Sequence, residues 1–241
     1  MPELRIGCSG FNYRHWKGTF YPSHLPQRKW FEHYWTAFNT VELNVTFYRL
    51  PLAGTFDKWR DETPADFAFS LKGSRYISHV KKLLDAKEPL ELFFKGALRL
   101  KGKLKVILWQ FPPGFKANIK RLKIFLELLQ TYPIGNTLEF RHESWITDKV
   151  IDLCKEYNTS LCMADWPEFI DDLPVTSDFV YIRRHGQGGS YDACYPKTKL
   201  QKDARRIKSY LEDGKNVFIY FNNDYSGYAP RNATELLDMV R

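Results

Sequence analysis

Eight short runs that read as strands alternate with helix-like stretches along the whole chain, and this alternation restricts the fold more than any other feature. The runs are residues 4–10, 40–48, 67–73, 105–111, 136–142, 160–165, 179–186 and 216–223. Each is rich in Val, Ile, Phe or Leu and is bounded by Gly, Pro, Asn or Asp. Between them lie amphipathic stretches at 27–38, 56–62, 89–100, 118–130, 147–157, 200–213 and 234–240. Pro89 suits a first helical position, and Asn118 or Asn232 can cap a helix. Strict β–α alternation implies a parallel sheet with right-handed crossovers. Eight such units close most naturally into an α/β fold of one kind, a single (β/α)8 TIM barrel with outer helices. An open doubly wound sheet is the rival, but no G-x-G-x-x-G follows the first run. No linker or low-complexity stretch divides residues 1–241, so one domain is expected.

In a barrel, alternate strand residues face the helices and the lumen. In the second run Val41, Leu43, Val45 and Phe47 form the apolar, outward face, which predicts Glu42, Asn44 and Thr46 inside. The same parity turns Glu139 and Arg141 inward, with Tyr181, Arg183 and His185, Tyr220 and Asn222, and Ser70 and Lys72. Gln110 and Asp165 close the fourth and sixth runs. Buried charges must be paired and hydrogen-bonded, and apolar residues often serve stability as well. So many charges near the carboxyl ends of barrel strands therefore point to a site. The bland alternative is a self-satisfied network pairing Glu139 with Arg141 and Glu42 with Lys72.

Glu139, Asp165 and His185 end successive runs and are the candidate acid–base groups, His185 because imidazole titrates near neutrality. The same three could hold a divalent metal, but Arg141 and Arg183 share the lumen and compete for the carboxylates, so no cofactor is predicted. Nearby acids are expected to keep Lys72 protonated, which assigns it to anion binding rather than to a Schiff base. The loops at 185–190 and 222–227 carry Gly186, Gly188, Gly189 and Gly227. Glycine lets backbone N–H groups approach an anion, and phosphate often binds between these two loops of a barrel. A polar ligand shell of Glu42, Asn44, Lys72, Arg75, Gln110, Arg141, Arg183, Gly186, Asn222 and Asn223 follows, with a small anionic or phosphorylated, sugar- or nucleotide-like molecule as partner. The aromatic loop with Phe11, Tyr13, Trp16, Phe20 and Tyr21 could stack on a sugar or base, although packing onto the barrel is the commoner role. The segment 73–88, with Arg75 and His79, is a candidate lid.

Charge supplies a second reading. Of the net +8, the sector 72–123 carries 14 Lys/Arg against Asp85, Glu88 and Glu91, a local +11 that leaves −3 for the rest. Such a sector could draw nucleic acid, or be a solvated pair of lysine-rich helices. No run approaches a membrane span, and a first strand at Leu4 leaves no room for a leader, so a cytoplasmic location and no membrane partner are expected. The four cysteines, Cys8, Cys154, Cys162 and Cys194, form no C-x-x-C pair and read as reduced thiols. Cys8 stands at a strand end, where it is either a nucleophile or, more commonly, a small core residue.

The order of short motifs is itself specific. Ile6-Gly7-Cys8-Ser9-Gly10-Phe11 is followed by 41–51 (VELNVTFYRLP), 67–72 (FAFSLK), 108–113 (LWQFPP), 139–145 (EFRHESW), 181–186 (YIRRHG) and 220–223 (YFNN). In these the chain resembles, from end to end, the YecE-like family (DUF72). The resemblance implies a TIM barrel and supplies no reaction. It implies polar positions of interest at Glu42, Asn44, Lys72, Arg75, His79, Gln110, Glu139, Arg141, His142, Asp165, Arg183, His185, Asn222 and Asn223. Cys8 and Val45 depart from the pattern, which often has threonine and serine there.

Overall fold

The computed structural model describes residues 2–241, apart from the Gln187 side chain. Eight parallel strands close in sequence order into a barrel: β1 (Leu4–Ser9), β2 (Thr40–Leu43), β3 (Ala68–Lys72), β4 (Leu104–Gln110), β5 (Gly135–Glu139), β6 (Ser160–Ala164), β7 (Phe179–Arg184) and β8 (Asn216–Phe221). The circle shuts where β1 pairs with β8, Ile6 opposite Ile219. The helices are α1 (Trp30–Ala37), α2 (Val45–Tyr48), α3 (Ala53–Glu62), α4 (Lys87–Ala97), α5 (Ile119–Leu129), α6 (Asp148–Glu156), α7 (Lys197–Glu212) and α8 (Tyr228–Val240). The alternation has one gap, since only a short 3-10 turn, Glu168–Ile170, joins β6 to β7. No helix among the described residues is long and apolar enough to cross a membrane.

Helix starts follow local chemistry. Asn118 caps α5 by accepting the Arg121 N–H at 3.0 Å, and Thr147 caps α6 through the Val150 N–H at 3.4 Å. Leu122, Phe125, Leu126 and Leu129 then bury one stripe of α5 at helical spacing. Two expected starts are corrected. Pro89 lies inside the first turn of α4, which begins at Lys87. Asn232 is buried within α8, where its Oδ1 accepts the Tyr195 N–H at 3.0 Å; a partner on a distant loop, rather than its own helix end, fixes it.

Apolar residues separate into two layers. Val41, Leu71, Ile107, Leu138, Ile182 and Ile219 belong to the large cluster between strands and helices. Val106, Leu108, Cys162, Phe179, Tyr181, Phe218 and Tyr220 form a separate cluster inside the barrel. That inner plug separates the carboxyl end of the lumen from its amino end. The Tyr220 hydroxyl roofs the plug, lying 2.7 Å from the Thr40 hydroxyl and 2.9 Å from that of Ser70.

The second strand is shorter than its alternation predicts. It ends at Leu43, and Val45–Tyr48 turns into α2. Glu42 does face the lumen, but Thr46 lies on the turn, where its hydroxyl donates to the Lys72 carbonyl at 2.6 Å, and Tyr48 is exposed. A single helical turn offers too few residues for period 2 and period 3.6 to be told apart.

Candidate functional site

The polar end of the lumen is organised around Arg183 at the end of β7. Its Nη2 and Nε donate to the two Glu42 oxygens at 2.8 and 3.1 Å, and its Nη1 donates to Glu139 Oε2 at 2.7 Å. Ser9 and Tyr181 complete Glu42 with hydroxyl donors at 2.6 and 2.7 Å. The Arg141 guanidinium pairs with Glu139 Oε1, which Gln110 Nε2 also reaches at 2.9 Å. All of Glu42, Glu139 and Arg183 are buried to within 1% exposure, so each charge is met by protein rather than by water. The expected Glu139–Arg141 pair is present. The expected Glu42–Lys72 pair is not: Arg183 reaches across the barrel and takes its place, because a bidentate guanidinium fits a carboxylate better than a single ammonium does.

This arrangement fixes protonation. Burial pushes Glu139 up, but the charges of Arg141 and Arg183 and the His185 contact outweigh it and hold the carboxyl well below its usual range. His185 is pushed down by burial and by Arg183, against the pull of Glu139, so its imidazole is neutral near pH 7. Its Nε2 lies 2.9 Å from Arg141 Nη2 and 3.3 Å from Glu139 Oε1. Its Nδ1 lies 3.1 Å from the Asn222 side-chain nitrogen, an amide donor.

Asp165 does not join Glu139 and the His185 ring. Its Oδ1 accepts the His185 backbone N–H at 2.8 Å, and its Oδ2 accepts the Tyr195 hydroxyl. It faces an outer cleft of about 470 Å³ with Asp171, Tyr195 and Lys199. The physical reason is parity: Cys162 lies in the inner cluster and Leu161 and Met163 in the outer one, so the residue two past Met163 continues outward. The inward place at the end of β6 goes to Trp166, whose ring lies 4.6 Å from the Arg141 guanidinium carbon. Gly189, at φ +73°, makes room for that ring; a Cβ there would come within 2.6 Å of it. Neither Trp166 nor Tyr195 is marked by strand parity, since both lie on loops.

The remaining candidates divide. Asn44 and Asn222 stand half-buried at the rim, and Asn44 Oδ1 is buried with no hydrogen-bond partner among the described residues. Arg75 is exposed, and His142 caps a short turn by accepting the Ser144 N–H at 3.1 Å. Asn223 points away from the lumen, donating to the Ala193 carbonyl at 2.9 Å and to Asn232 at 3.0 Å. The glycine loop folds on itself: the Gly186 N–H donates to the Tyr195 hydroxyl at 2.6 Å and the Gly189 N–H to the Gly186 carbonyl at 2.8 Å. Those two amides are therefore spent on the turn. Arg184, the neighbour of Arg183, faces the helices and forks onto Asp203. The aromatic loop packs inward, with Trp16 fully buried and its Nε1 donating to the Asp224 carbonyl at 2.7 Å. In the basic sector, Lys103 spends its ammonium on the carbonyls of Arg60 and Thr63 at 2.5 and 2.7 Å.

Lys72 lacks the ion-pair partner expected for it. No carboxylate within ion-pair distance holds it among the described residues, and its ammonium sits 4.3 Å from the Phe47 ring centre. Burial and the Arg183 charge, opposed by Glu139 and Glu42, bring the amine down to about 8. The acids are present but already engaged by guanidinium groups. No cluster of three or more His, Cys, Asp or Glu that could hold a metal ion is found among the described residues.

Cys8, Cys154 and Cys162 are buried, and burial pushes each thiol up, so Cys8 behaves as a core residue. Iodoacetamide at pH 8 should alkylate Cys194 in the folded protein and the other three only after unfolding. Peptide mass mapping checks this, and rapid native labelling of Cys8 would contradict it.

A closed parallel barrel with a buried Glu–Arg–His knot at the carboxyl mouth defines a TIM-barrel protein with a polar mouth. The chain belongs to the DUF72 family: the family profile "Protein of unknown function DUF72" matches residues 5–241. It is similar to the UPF0759 protein YunF of Bacillus subtilis, 25% identical over 271 residues covering 98% of this chain and 94% of that one. Among solved structures, a DUF72 family protein from Thermotoga maritima superposes with TM-score 0.86 at 30% identity, covering 99% of both chains. One from Enterococcus faecalis gives 0.83 at 18%, covering 98% and 95%. A D-tagatose 3-epimerase-like protein shares the fold, with TM-score 0.54 at 15% identity over 98% of each chain.

Proposed function

We propose that the chain is an enzyme that binds a small anionic, sugar-like compound at the carboxyl mouth of the barrel, with Arg141 taking the anionic group. One observation carries this reading. Arg141 is 4% exposed at its side chain, yet its Nε and Nη1 have no hydrogen-bond partner among the described residues. Leaving charged donors buried and unmet is costly, and a phosphate or carboxylate supplies the missing acceptors in the planar geometry a guanidinium prefers. The charge balance agrees: Lys72, Arg141 and Arg183 face Glu42 and Glu139, one cation in excess. Asn44 Oδ1, also unmet, adds an acceptor for a hydroxyl of the same ligand. Glu139 is held ionised by two arginines, so its role here is to fix Arg141. The neutral His185 and the amine of Lys72 are the groups left for proton transfer.

Inorganic phosphate in large excess over its dissociation constant should stabilise the protein by about 2.7 kcal/mol at a hundredfold excess, with acetate as the carboxylate arm. Arg141→Met should abolish that gain, and crystals soaked in phosphate should show the ion on Arg141. Equal stabilisation of the wild type and the variant would reject the assignment.

A further inference from the structure

We infer that Lys72 is an amine nucleophile that forms an imine with a small anionic aldehyde or ketone. This rests on the reading above, since Arg141 would hold the anionic end of the same molecule. The supporting observations concern position and what the amine lacks. Lys72 ends β3 inside the lumen, on the same side as Ser70, whose hydroxyl meets Tyr220 below it. The two lumen carboxylates are filled: Glu42 by Arg183, Ser9 and Tyr181, and Glu139 by Arg183, Arg141 and Gln110. Neither forms an ion pair with Lys72, whose described contact is the Phe47 ring. A half-buried primary amine beside arginine charge and with no carboxylate in ion-pair reach is an environment in which a lysine becomes a nucleophile. With the amine at about 8, about a tenth is free base at pH 7 and about half at pH 8.

A second side chain shares the Phe47 ring. His79 packs edge-on against the same Phe47 ring, 4.9 Å between centres, and its Nδ1 lies 2.9 Å from the Ser78 hydroxyl. Burial, then the Lys72 and Arg75 charges, bring His79 down to about 4, so the ring is neutral. In the first step the Nζ lone pair forms the C–N bond, and the C=O π pair moves onto oxygen. One N–H proton passes to that oxygen, giving a carbinolamine. In the second step the nitrogen pair closes the C=N bond as the hydroxyl departs, taking the second N–H proton. Two protons and the carbonyl oxygen leave as one water, and nothing is oxidised.

The test is reductive trapping on the full chain. Dihydroxyacetone phosphate is added at pH 8, sodium borohydride then supplies hydride to any imine, and the adduct is located by peptide mass mapping. The expected result is a secondary amine on Lys72, formed at least about tenfold faster than on exposed Lys120. Uncharged dihydroxyacetone should label Lys72 about tenfold less, the equivalent of about 1.4 kcal/mol. Sulfate should compete, and Lys72→Arg should give no adduct at position 72. Labelling of Lys72 no faster than Lys120, or none at all, overturns the inference. If phosphate nonetheless stabilises through Arg141, the anion reading survives that failure. Fast labelling that neither sulfate nor Arg141→Met alters removes the anion reading instead, and with it the ligand class assigned here.

Discussion

Replacing Arg183 by methionine should cost about 3–5 kcal/mol of folding stability, because the change strips a partner from two fully buried carboxylates at once. Urea unfolding at pH 7 measures it, and a loss below about 1 kcal/mol would show that the knot is not what holds these strands together. The effect has a pH signature. Glu139 is held below its ordinary value in the folded state, so its contribution is complete above about pH 4.5 and fades as pH falls toward the folded value. Wild-type stability should therefore decline on the acid side of about pH 4.5, and Glu139→Gln should flatten that limb. A steeper limb in the variant would contradict the sign.

Asp203→Ala should be comparably damaging, by about 3–5 kcal/mol, for the same reason on the other face of β7. Arg184 is fully buried and forks onto Asp203, which is itself 1% exposed; Asp171, at 3.0 Å, is the remaining partner. The two losses differ in what else they change. Arg183 bounds the mouth, so its replacement should also weaken phosphate binding. Asp203 lies behind the strand, and its replacement should leave phosphate stabilisation within about 0.5 kcal/mol of wild type. Isothermal titration on each variant makes the comparison, and loss of binding in Asp203→Ala would mean that the two faces of β7 are coupled.

Much of this was legible in the residues. Each expected strand has its counterpart within a few residues, because short apolar runs bounded by turn formers leave little choice of element. Parity placed Glu42, Glu139, Arg183 and His185 inside, since the apolar partners Val41, Leu138 and Ile182 had to face the helices. Parity gives the side a residue faces and not how far it reaches. It could not say that Arg183 would span the lumen to Glu42 and leave Lys72 unpaired. It failed at Thr46, which lies past the last paired residue of β2, where the pleat no longer dictates direction; Asp165 was placed by its position at the end of a run, and counting from Cys162 turns it outward. Trp166 and Tyr195 carried no periodic signal at all.

The arginine at the end of β7 joins partners contributed by β2 and β5, which are 141 and 44 residues earlier in the chain. During synthesis the first six strands emerge with Glu42 lacking its cation and Glu139 holding one of its two, Arg141. A stalled or truncated polypeptide ending before residue 179 thus has no dry lumen available to it, and its Glu42 carboxylate must stay hydrated. Productive collapse of the barrel mouth is deferred until the ribosome has delivered the seventh strand, and N-terminal fragments should remain open, protease-sensitive chains.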